Sequence, residues 1–274
     1  ASPVVPKTFL TNRNNFLKPL NDEDFYLENA TCLRMSELGY MSKAQDDLNI
    51  AYNDLDEYIS DLKHALTKKH EPYEKIGLKK GNKHIQINDS IIQIENEYYS
   101  SIRPKRVVQS GQRPINVLKN KGIEYIEVRC LDNNPFLRGS IDKHTAYFIE
   151  AYLMVSLIDE NYPFDENRIK EIQDNWQNTV RKGRDPNLLL KRDGKTISVK
   201  DAAEEVFSKI YDYAYALPIE ADDLKKKILR SLDIQKAKLR DSDLTPSGMI
   251  VKEMEEKNIS WNEFCNDRAE INNK

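Results

Sequence analysis

The chain has 274 residues, of which 32% are charged and 39% are hydrophobic, and its formal net charge is −3. This length suits one large domain or two small ones and allows a buried core to form. The slightly acidic balance excludes a general attraction to nucleic acid or to anionic membranes, so a site for a polyanion would need locally clustered cations.

The cysteines and the apolar runs indicate the redox compartment of the chain and whether it could span a membrane. Cys32, Cys130 and Cys265 are scattered without a C-x-x-C spacing, which argues against a disulfide framework or a zinc site and favours a reducing, cytoplasmic compartment. The longest apolar runs, such as residues 151–158, are too short to span a bilayer. We therefore expect neither nucleic acid nor a membrane among the partners.

The first half of the chain predicts a mixture of helix and strand. Residues 1–30 are rich in Pro, Asn and Asp. This composition predicts an irregular excursion, that is, a segment without regular secondary structure, rather than the first elements of a folded domain. Residues 42–67 give the clearest helical pattern, because they open with the Ser-x-x-Gln spacing of a capping box and continue with apolar residues every three or four positions. Residues 91–99 and 123–131 alternate like strands, and a basic loop separates them.

The second half predicts helices, and prolines fall between several of them as helix ends would require. The predicted helices are 143–158, 167–181, 199–215, 221–239, 247–257 and 261–273. The fold class is therefore α+β, with a sheet-bearing part over residues 1–136 and a helical region over residues 137–274.

The strand predicted at 123–131 carries the side chains best suited to catalysis or ligand binding. Because side chains alternate faces along a strand, the charged face is expected to hold Ile123, Tyr125, Glu127 and Arg129. The opposite face, which includes Ile126 and Cys130, is mostly apolar and is expected to pack on a core, with Cys130 buried.

Two functions of the charged face remain open at this point. A carboxylate beside a guanidinium can hold Mg²⁺ and neutralise a transferring phosphoryl group, and the neighbouring loop adds basic residues suited to phosphates, namely Arg103, Lys105, Arg106 and Arg113. The alternative is an ion pair between Glu127 and Arg129 on a solvated face, with the basic loop as an ordinary surface turn.

Several longer motifs resemble one known family. LRMSELGY (33–40), INDSIIQIENEYYSSIRPKR (87–106) and GIEYIEVRCLDNNPF (122–136) are similar to segments of the proteobacterial glutamate–cysteine ligases, as are NW followed by GR-x-P (175–186) and SDLTPS (242–247). The resemblance implies ATP-dependent joining of the γ-carboxylate of L-glutamate to L-cysteine through a γ-glutamyl phosphate with Mg²⁺, the first step of glutathione synthesis. It also implies a glutamine-synthetase-like fold, in which an antiparallel sheet curves into an active-site funnel surrounded by helices.

The resemblance also assigns roles to single residues. Glu127 matches a metal-binding glutamate, and Arg129 matches a catalytic arginine near the transferred phosphate. Tyr40 and Tyr99 match tyrosines of the cysteine pocket, and Arg34 together with Tyr99 matches residues that hold the cysteine carboxylate. Weaker candidates for contacts to metal, ATP or phosphates are Glu95, Glu97, Arg103, Lys105 and Arg106.

The resemblance is to the later part of a longer family enzyme. A lone Glu127 cannot hold the several Mg²⁺ ions that this chemistry uses, so we expect the chain to be the C-terminal part of a ligase, inactive alone, with the N-terminal half as a candidate partner. Two alternatives remain: a carboxylate–amine ligase that takes a different amine, and a non-catalytic partner subunit of a split enzyme.

Overall fold

A computed structural model describes residues 2–10, 16–46, 48–160 and 163–273. Their contacts form two units. The helical unit comprises the described residues of 1–36, 132–162 and 170–274, and the mixed unit comprises those of 37–131 and 163–169. The sequence-based division between residues 136 and 137 stays a prediction. No helix in the described ranges is both long and apolar enough to cross a membrane.

The secondary structure is helical with short antiparallel strands, which confirms the α+β class. The helices are α1 (Leu55–Thr67), α2 (Glu71–Ile76), α3 (Pro114–Lys121), α4 (Lys143–Ile158), α5 (Glu166–Lys182), α6 (Val199–Ala216), α7 (Asp222–Arg240), α8 (Pro246–Lys257) and α9 (Trp261–Asn273). The strands are β1 (Val4–Pro6), β2 (Lys18–Pro19), β3 (Asp24–Tyr26), β4 (Lys79–Lys80), β5 (Lys83–His84), β6 (Ile102–Lys105), β7 (Tyr125–Val128), β8 (Leu189–Arg192) and β9 (Lys195–Ser198).

The helices predicted for the second half are confirmed, and three of them begin at a capping side chain. Asp142 accepts a hydrogen bond from the backbone amide of Thr145 and so caps α4. Ser198 caps α6 in the same way, and Thr245 caps α8 directly before its proline. Helices α4, α6 and α7 share a core that buries Ala151, Val155, Phe207, Ile210, Ala214, Ile228 and Leu232.

The described residues of 2–10 and 16–30 belong to this helical unit, so the expectation of an irregular excursion is wrong for them, whereas residues 1 and 11–15 lie outside the described part of the chain. Strands β1, β3 and β2 form a sheet in that order, and Val4 packs in a core with residues of α8 and α9. The buried guanidinium of Arg184 donates hydrogen bonds to the carbonyl oxygens of Glu28 and Ala30. The GR-x-P motif thus fastens the N-terminal segment to the end of α5.

The helix predicted from residue 42 begins only at Leu55. Asp54 accepts a hydrogen bond from the amide of Glu57 at 2.8 Å and starts α1 there, whereas Ser42 makes no capping bond and Lys43–Gln45 is an isolated 3₁₀ turn. Helix α1 supplies much of the core of the mixed unit, in which Tyr58, Ile59 and Leu62 are buried.

The strand predicted at 91–99 is wrong, and the true partner of the second strand lies in the predicted basic loop. Ile91 and Ile92 are consecutive and both buried, which a half-exposed strand does not allow, and Glu95–Glu97 forms a 3₁₀ turn. Strand β6 instead pairs with β7, so that Arg103 lies opposite Glu127 and Lys105 opposite Tyr125.

The apolar face of β7 does not pack on a core as expected. Ile126 is 48% exposed, and Cys130 is only partly buried. Arg103, which lies on the opposite face with Glu127, is 3% exposed. The charged face of this hairpin is therefore buried at Arg103, whereas Tyr125 on the same face is 46% exposed.

Candidate functional site

Four of the residues singled out in the sequence meet within the mixed unit. The rings of Tyr40 and Tyr99 touch edge to face with centroids 4.4 Å apart. The guanidinium of Arg129 lies over the Tyr40 ring, 5.0 Å from its centroid. Arg129 Nη1 is 3.6 Å from Oε1 of Glu127, so the side chains of residues 127 and 129 point to the same side, as strand alternation predicts.

Glu127 has an environment suited to a bound ion or phosphate group. Its Oε2 is buried and accepts no hydrogen bond from the described residues, and Lys105 Nζ stands 3.7 Å away, beyond hydrogen-bond distance. A buried carboxylate oxygen without a donor is uncommon in proteins and often marks the position of an ion or a water molecule. The flanking Lys105 and Arg129 add positive charge at the same place.

Arg103 holds the tyrosines in position. Its Nη2 donates hydrogen bonds to the carbonyl oxygens of Tyr98 and Asn96 and to the hydroxyl of Tyr40, the last at 3.3 Å. The sequence suggested a phosphate contact for Arg103. In this structure its buried guanidinium instead donates hydrogen bonds to nearby backbone carbonyls and to the Tyr40 hydroxyl. The phosphate-binding role suggested for this basic segment therefore stays a prediction.

Gln45 supports the tyrosine cluster, and the sequence analysis missed it because its spacing from Ser42 was interpreted as a capping box. Its side-chain amide donates to the carbonyl of Glu97 at 2.7 Å and accepts from the backbone amide of Tyr99 at 2.9 Å. This pair of bonds fixes the backbone that carries Tyr99. No local sequence signal reports it, since the two partners are separated by more than fifty positions.

The weaker candidates make local contacts. Glu95 pairs with Arg113 at 3.0 Å, and Glu97 accepts the backbone amide of Gln93. Arg106 Nε donates to the carbonyl of Gly122 at 2.7 Å. These bonds stabilise the turn and the hairpin, and the functional roles suggested for Glu95, Glu97 and Arg106 stay predictions.

Two tyrosines behind the site are held in their neutral form. Burial raises the pKa of Tyr98 well above its ordinary value, and the neighbouring Tyr52 adds to this effect. Burial raises the pKa of Tyr58 in the same way. Both hydroxyls therefore stay protonated throughout the physiological range.

Arg34 belongs to the helical unit, where it forms its own cluster. Its Nε lies 2.5 Å from Oδ1 of Asp132, whose side chain is 8% exposed, while the side chain of Arg34 is 43% exposed. Burial raises the pKa of the neighbouring Cys32, and a hydrogen bond from its thiol to the Asp132 carboxylate raises it further.

The described residues do not contain a complete metal site. They hold no group of three or more His, Cys, Asp or Glu side chains arranged to bind a metal ion. Glu127, with its donor-free oxygen, fits the role of a single ligand.

The fold is that of a family of ligases. A family model described as glutamate–cysteine ligase matches residues 1–179, and the chain belongs to this family, which confirms the resemblance found in the sequence. It is 42% identical to the glutamate–cysteine ligase of Pseudomonas fluorescens over 265 residues, covering 96% of this chain and 49% of that protein. The corresponding ligase of Janthinobacterium is 40% identical over 264 residues, covering 96% of this chain and 50% of that protein.

Solved structures agree with the assignment. The crystal structure of glutamate–cysteine ligase from Francisella tularensis in complex with AMP superposes with a TM-score of 0.89 at 38% identity, covering 99% of this chain and 53% of that one. A bifunctional glutathione synthetase from Pasteurella multocida shares the fold, with a TM-score of 0.54 at 16% identity, covering 83% of this chain and 24% of that one. The chain spans about half the length of the curated relatives that it matches.

Proposed function

We propose that this chain carries part of the active site of an ATP-dependent ligase that joins L-glutamate to L-cysteine through a γ-glutamyl phosphate. The observation that carries the proposal is the cluster of Tyr40, Tyr99, Glu127 and Arg129, whose members touch one another in the mixed unit. Membership of the glutamate–cysteine ligase family supports the reaction, and the AMP bound to the Francisella relative supports use of an adenine nucleotide.

The side chains suit distinct parts of this reaction. Arg129 and Lys105 are cations that can bind the phosphate oxygens on which negative charge collects during phosphoryl transfer. The edge-to-face rings of Tyr40 and Tyr99 offer an apolar wall to the small, polarizable thiol side chain of cysteine. Stacking of Arg129 on Tyr40 connects the two parts, so that a single cluster orients both.

Glu127 would supply one oxygen ligand to Mg²⁺, which when bound neutralises phosphate charge. Its remaining ligands would come from substrate phosphates, water and protein groups outside the described residues. The same reasoning extends to the active-site funnel: β6 and β7 would form one part of its curved wall. On this basis the present chain acts together with further protein and is inactive by itself.

The experiment isolates the protein from its own cells through a carboxyl-terminal tag, so that any accompanying chain is retained. The preparation is assayed for phosphate release that requires ATP, L-glutamate and L-cysteine together, and for γ-glutamylcysteine by mass spectrometry. Equal turnover with other amino acids in place of L-cysteine would identify a different carboxylate–amine ligase. Absence of turnover in an intact preparation would reject the ligase function and favour a non-catalytic subunit.

Arg129 provides the sharpest variant for the proposed site. Arg129→Gln is expected to lower kcat by at least a hundredfold, because the loss of one preorganised charge donor commonly has this effect. Arg138→Gln is the matched control, since this arginine is exposed and lies outside the cluster. Equal activity of the two variants would remove Arg129 from the mechanism.

A further inference from the structure

Gln45 holds the backbone of one wall of the proposed cysteine pocket. Its side-chain Nε2 donates a hydrogen bond to the carbonyl oxygen of Glu97 at 2.7 Å, and its Oε1 accepts one from the backbone N–H of Tyr99 at 2.9 Å. A reversed amide would set donor against donor and acceptor against acceptor, so these partners fix its orientation. One planar amide therefore binds the two peptide groups on either side of Tyr98.

The backbone of Gln45 is anchored within the same unit. Gln45 ends the 3₁₀ turn Lys43–Gln45, and the neighbouring Ala44 packs against the core of the mixed unit. Tyr40 lies shortly before this turn in the chain. Gln45 therefore connects the segment that carries Tyr40 to the segment that carries Tyr99.

The two rings of the pocket are held by different means. Tyr40 is held through its side chain, by Arg129 over the ring and by Arg103 at the hydroxyl. Tyr99 meets the Tyr40 ring edge to face, with centroids 4.4 Å apart, and Gln45 acts on its backbone. The direction of a side chain follows its backbone, so the space beside the two rings depends on where Gln45 holds Tyr99.

We propose that Gln45 is a positioning residue for substrate selection: by fixing the Tyr99 backbone it sets the side-chain length that the pocket accepts, so that L-cysteine is preferred over L-homocysteine, which is longer by one methylene. This inference rests on the proposed function, in which Tyr40 and Tyr99 line the cysteine pocket. A wall with a fixed backbone excludes the added methylene, whereas a wall that shifts makes room for it. A packed apolar pocket discriminates by about 10–200-fold per methylene.

The test uses the tagged preparation, which retains any accompanying chain, and compares kcat/KM for L-cysteine and L-homocysteine. The wild type is expected to prefer L-cysteine by about tenfold or more. Gln45→Met keeps the length of the side chain but loses both hydrogen bonds, and it is expected to reduce this preference by about fivefold, with the KM for ATP unchanged. Because Tyr99 is 40% exposed, its freed N–H can bind water and the unit is expected to stay folded. Gln45→Asn, which withdraws the amide from both partners by one methylene, is a second variant with the same expectation.

Asn53 offers a matched control in the same unit. Its side-chain amide also donates to a backbone carbonyl and accepts from a backbone N–H, both of Phe164, at 3.4 and 2.6 Å. Asn53→Leu removes this pair of bonds from a segment that carries no member of the tyrosine cluster, and it should leave the preference for L-cysteine unchanged. An equal loss of preference in Asn53→Leu, or an equal loss of activity with both amino acids in Gln45→Met, would show a purely structural role. Either result overturns the inference, as does a wild-type preference in Gln45→Met.

Tyr99→Ala separates this inference from the proposed function. If Tyr99→Ala does not change the preference for L-cysteine, then the assigned role of Tyr99 is wrong and the inference is overturned with it. If Tyr99→Ala lowers the preference and Gln45→Met does not, the proposed function stands and only the inference is overturned. For a preparation without turnover, calorimetric titration with the two amino acids gives the same comparison, and lack of a wild-type preference for L-cysteine overturns the inference.

Discussion

The buried Arg103 makes a quantitative prediction about the mixed unit. In Arg103→Met the apolar stem of the side chain is largely kept, but the donors to the Tyr98 and Asn96 carbonyls and to the Tyr40 hydroxyl are lost. Asn96 is exposed and its carbonyl can turn to water, whereas Tyr98 is buried. One buried carbonyl is therefore left without a donor.

The size of the destabilisation follows from the loss of a donor to this one buried carbonyl. An unsatisfied buried acceptor costs roughly 1–3 kcal/mol, and the removal of a buried charge returns part of this cost because its desolvation is relieved. We expect Arg103→Met to lower the free energy of local opening by about 2 kcal/mol. The matched control is Arg113→Met, since Arg113 is 60% exposed in its pair with Glu95 and such pairs contribute about 1 kcal/mol or less.

Hydrogen–deuterium exchange read by mass spectrometry is the appropriate assay, because it reports opening peptide by peptide and does not assume that the chain unfolds in one step. Peptides that cover β6 and the segment before it should exchange about thirtyfold faster in Arg103→Met, which corresponds to about 2 kcal/mol. Protection equal to that of the wild type, or loss no greater than in Arg113→Met, would refute the view that Arg103 supports the tyrosine cluster.

Two further predictions concern pH and packing. Because the pKa values of Tyr58 and Tyr98 are raised from 10.0 in the folded state, their contribution to stability is complete below pH 10 and is lost as the pH rises toward the folded-state values. Above pH 10 the free energy of unfolding should fall as the pH rises, with each of these two tyrosines contributing up to about 1.4 kcal/mol per pH unit, and the fall should be less steep in Tyr58→Phe; urea titrations at several pH values would contradict this if the slope were flat or the same in both proteins. Gly183→Ala should destabilise the helical unit by about 2 kcal/mol, because the added methyl meets the backbone carbonyl of Thr179, whereas Gly139→Ala has room and serves as the control in thermal unfolding; equal midpoints would contradict the packing argument.

The helices of the second half were predictable because their signals are local. The capping side chains of α4, α6 and α8 lie within three residues of the amides that they bind. The same kind of signal misled at residue 42, where the spacing of a capping box is present but no capping bond forms. Asp54 starts α1 instead, and the apolar residues before it reach the core from irregular backbone.

The strand pairing was not predictable from alternation. Residues 91–99 have the alternating pattern, yet their polar side chains satisfy backbone groups nearby, as when Glu97 accepts the amide of Gln93. The real partner strand contains Pro104 between the charged Arg103 and Lys105, a composition typical of a loop. Tertiary context decides such short segments.

The orientation of the β6–β7 hairpin connects the fold to the site. An ordinary half-buried hairpin turns its apolar face inward, but here Arg103 is 3% exposed and Ile126 is 48% exposed. Because a shift of register by one residue would exchange the two faces, the observed register is the one that places the buried Arg103 opposite Glu127. Placing charged groups inward is unfavourable unless they are bonded or used; Arg103 is bonded to the tyrosine segment, and Glu127 retains a buried oxygen without a donor. No sequence pattern reveals that oxygen, since the same Glu-x-Arg spacing would suit a structural ion pair or a ligand site.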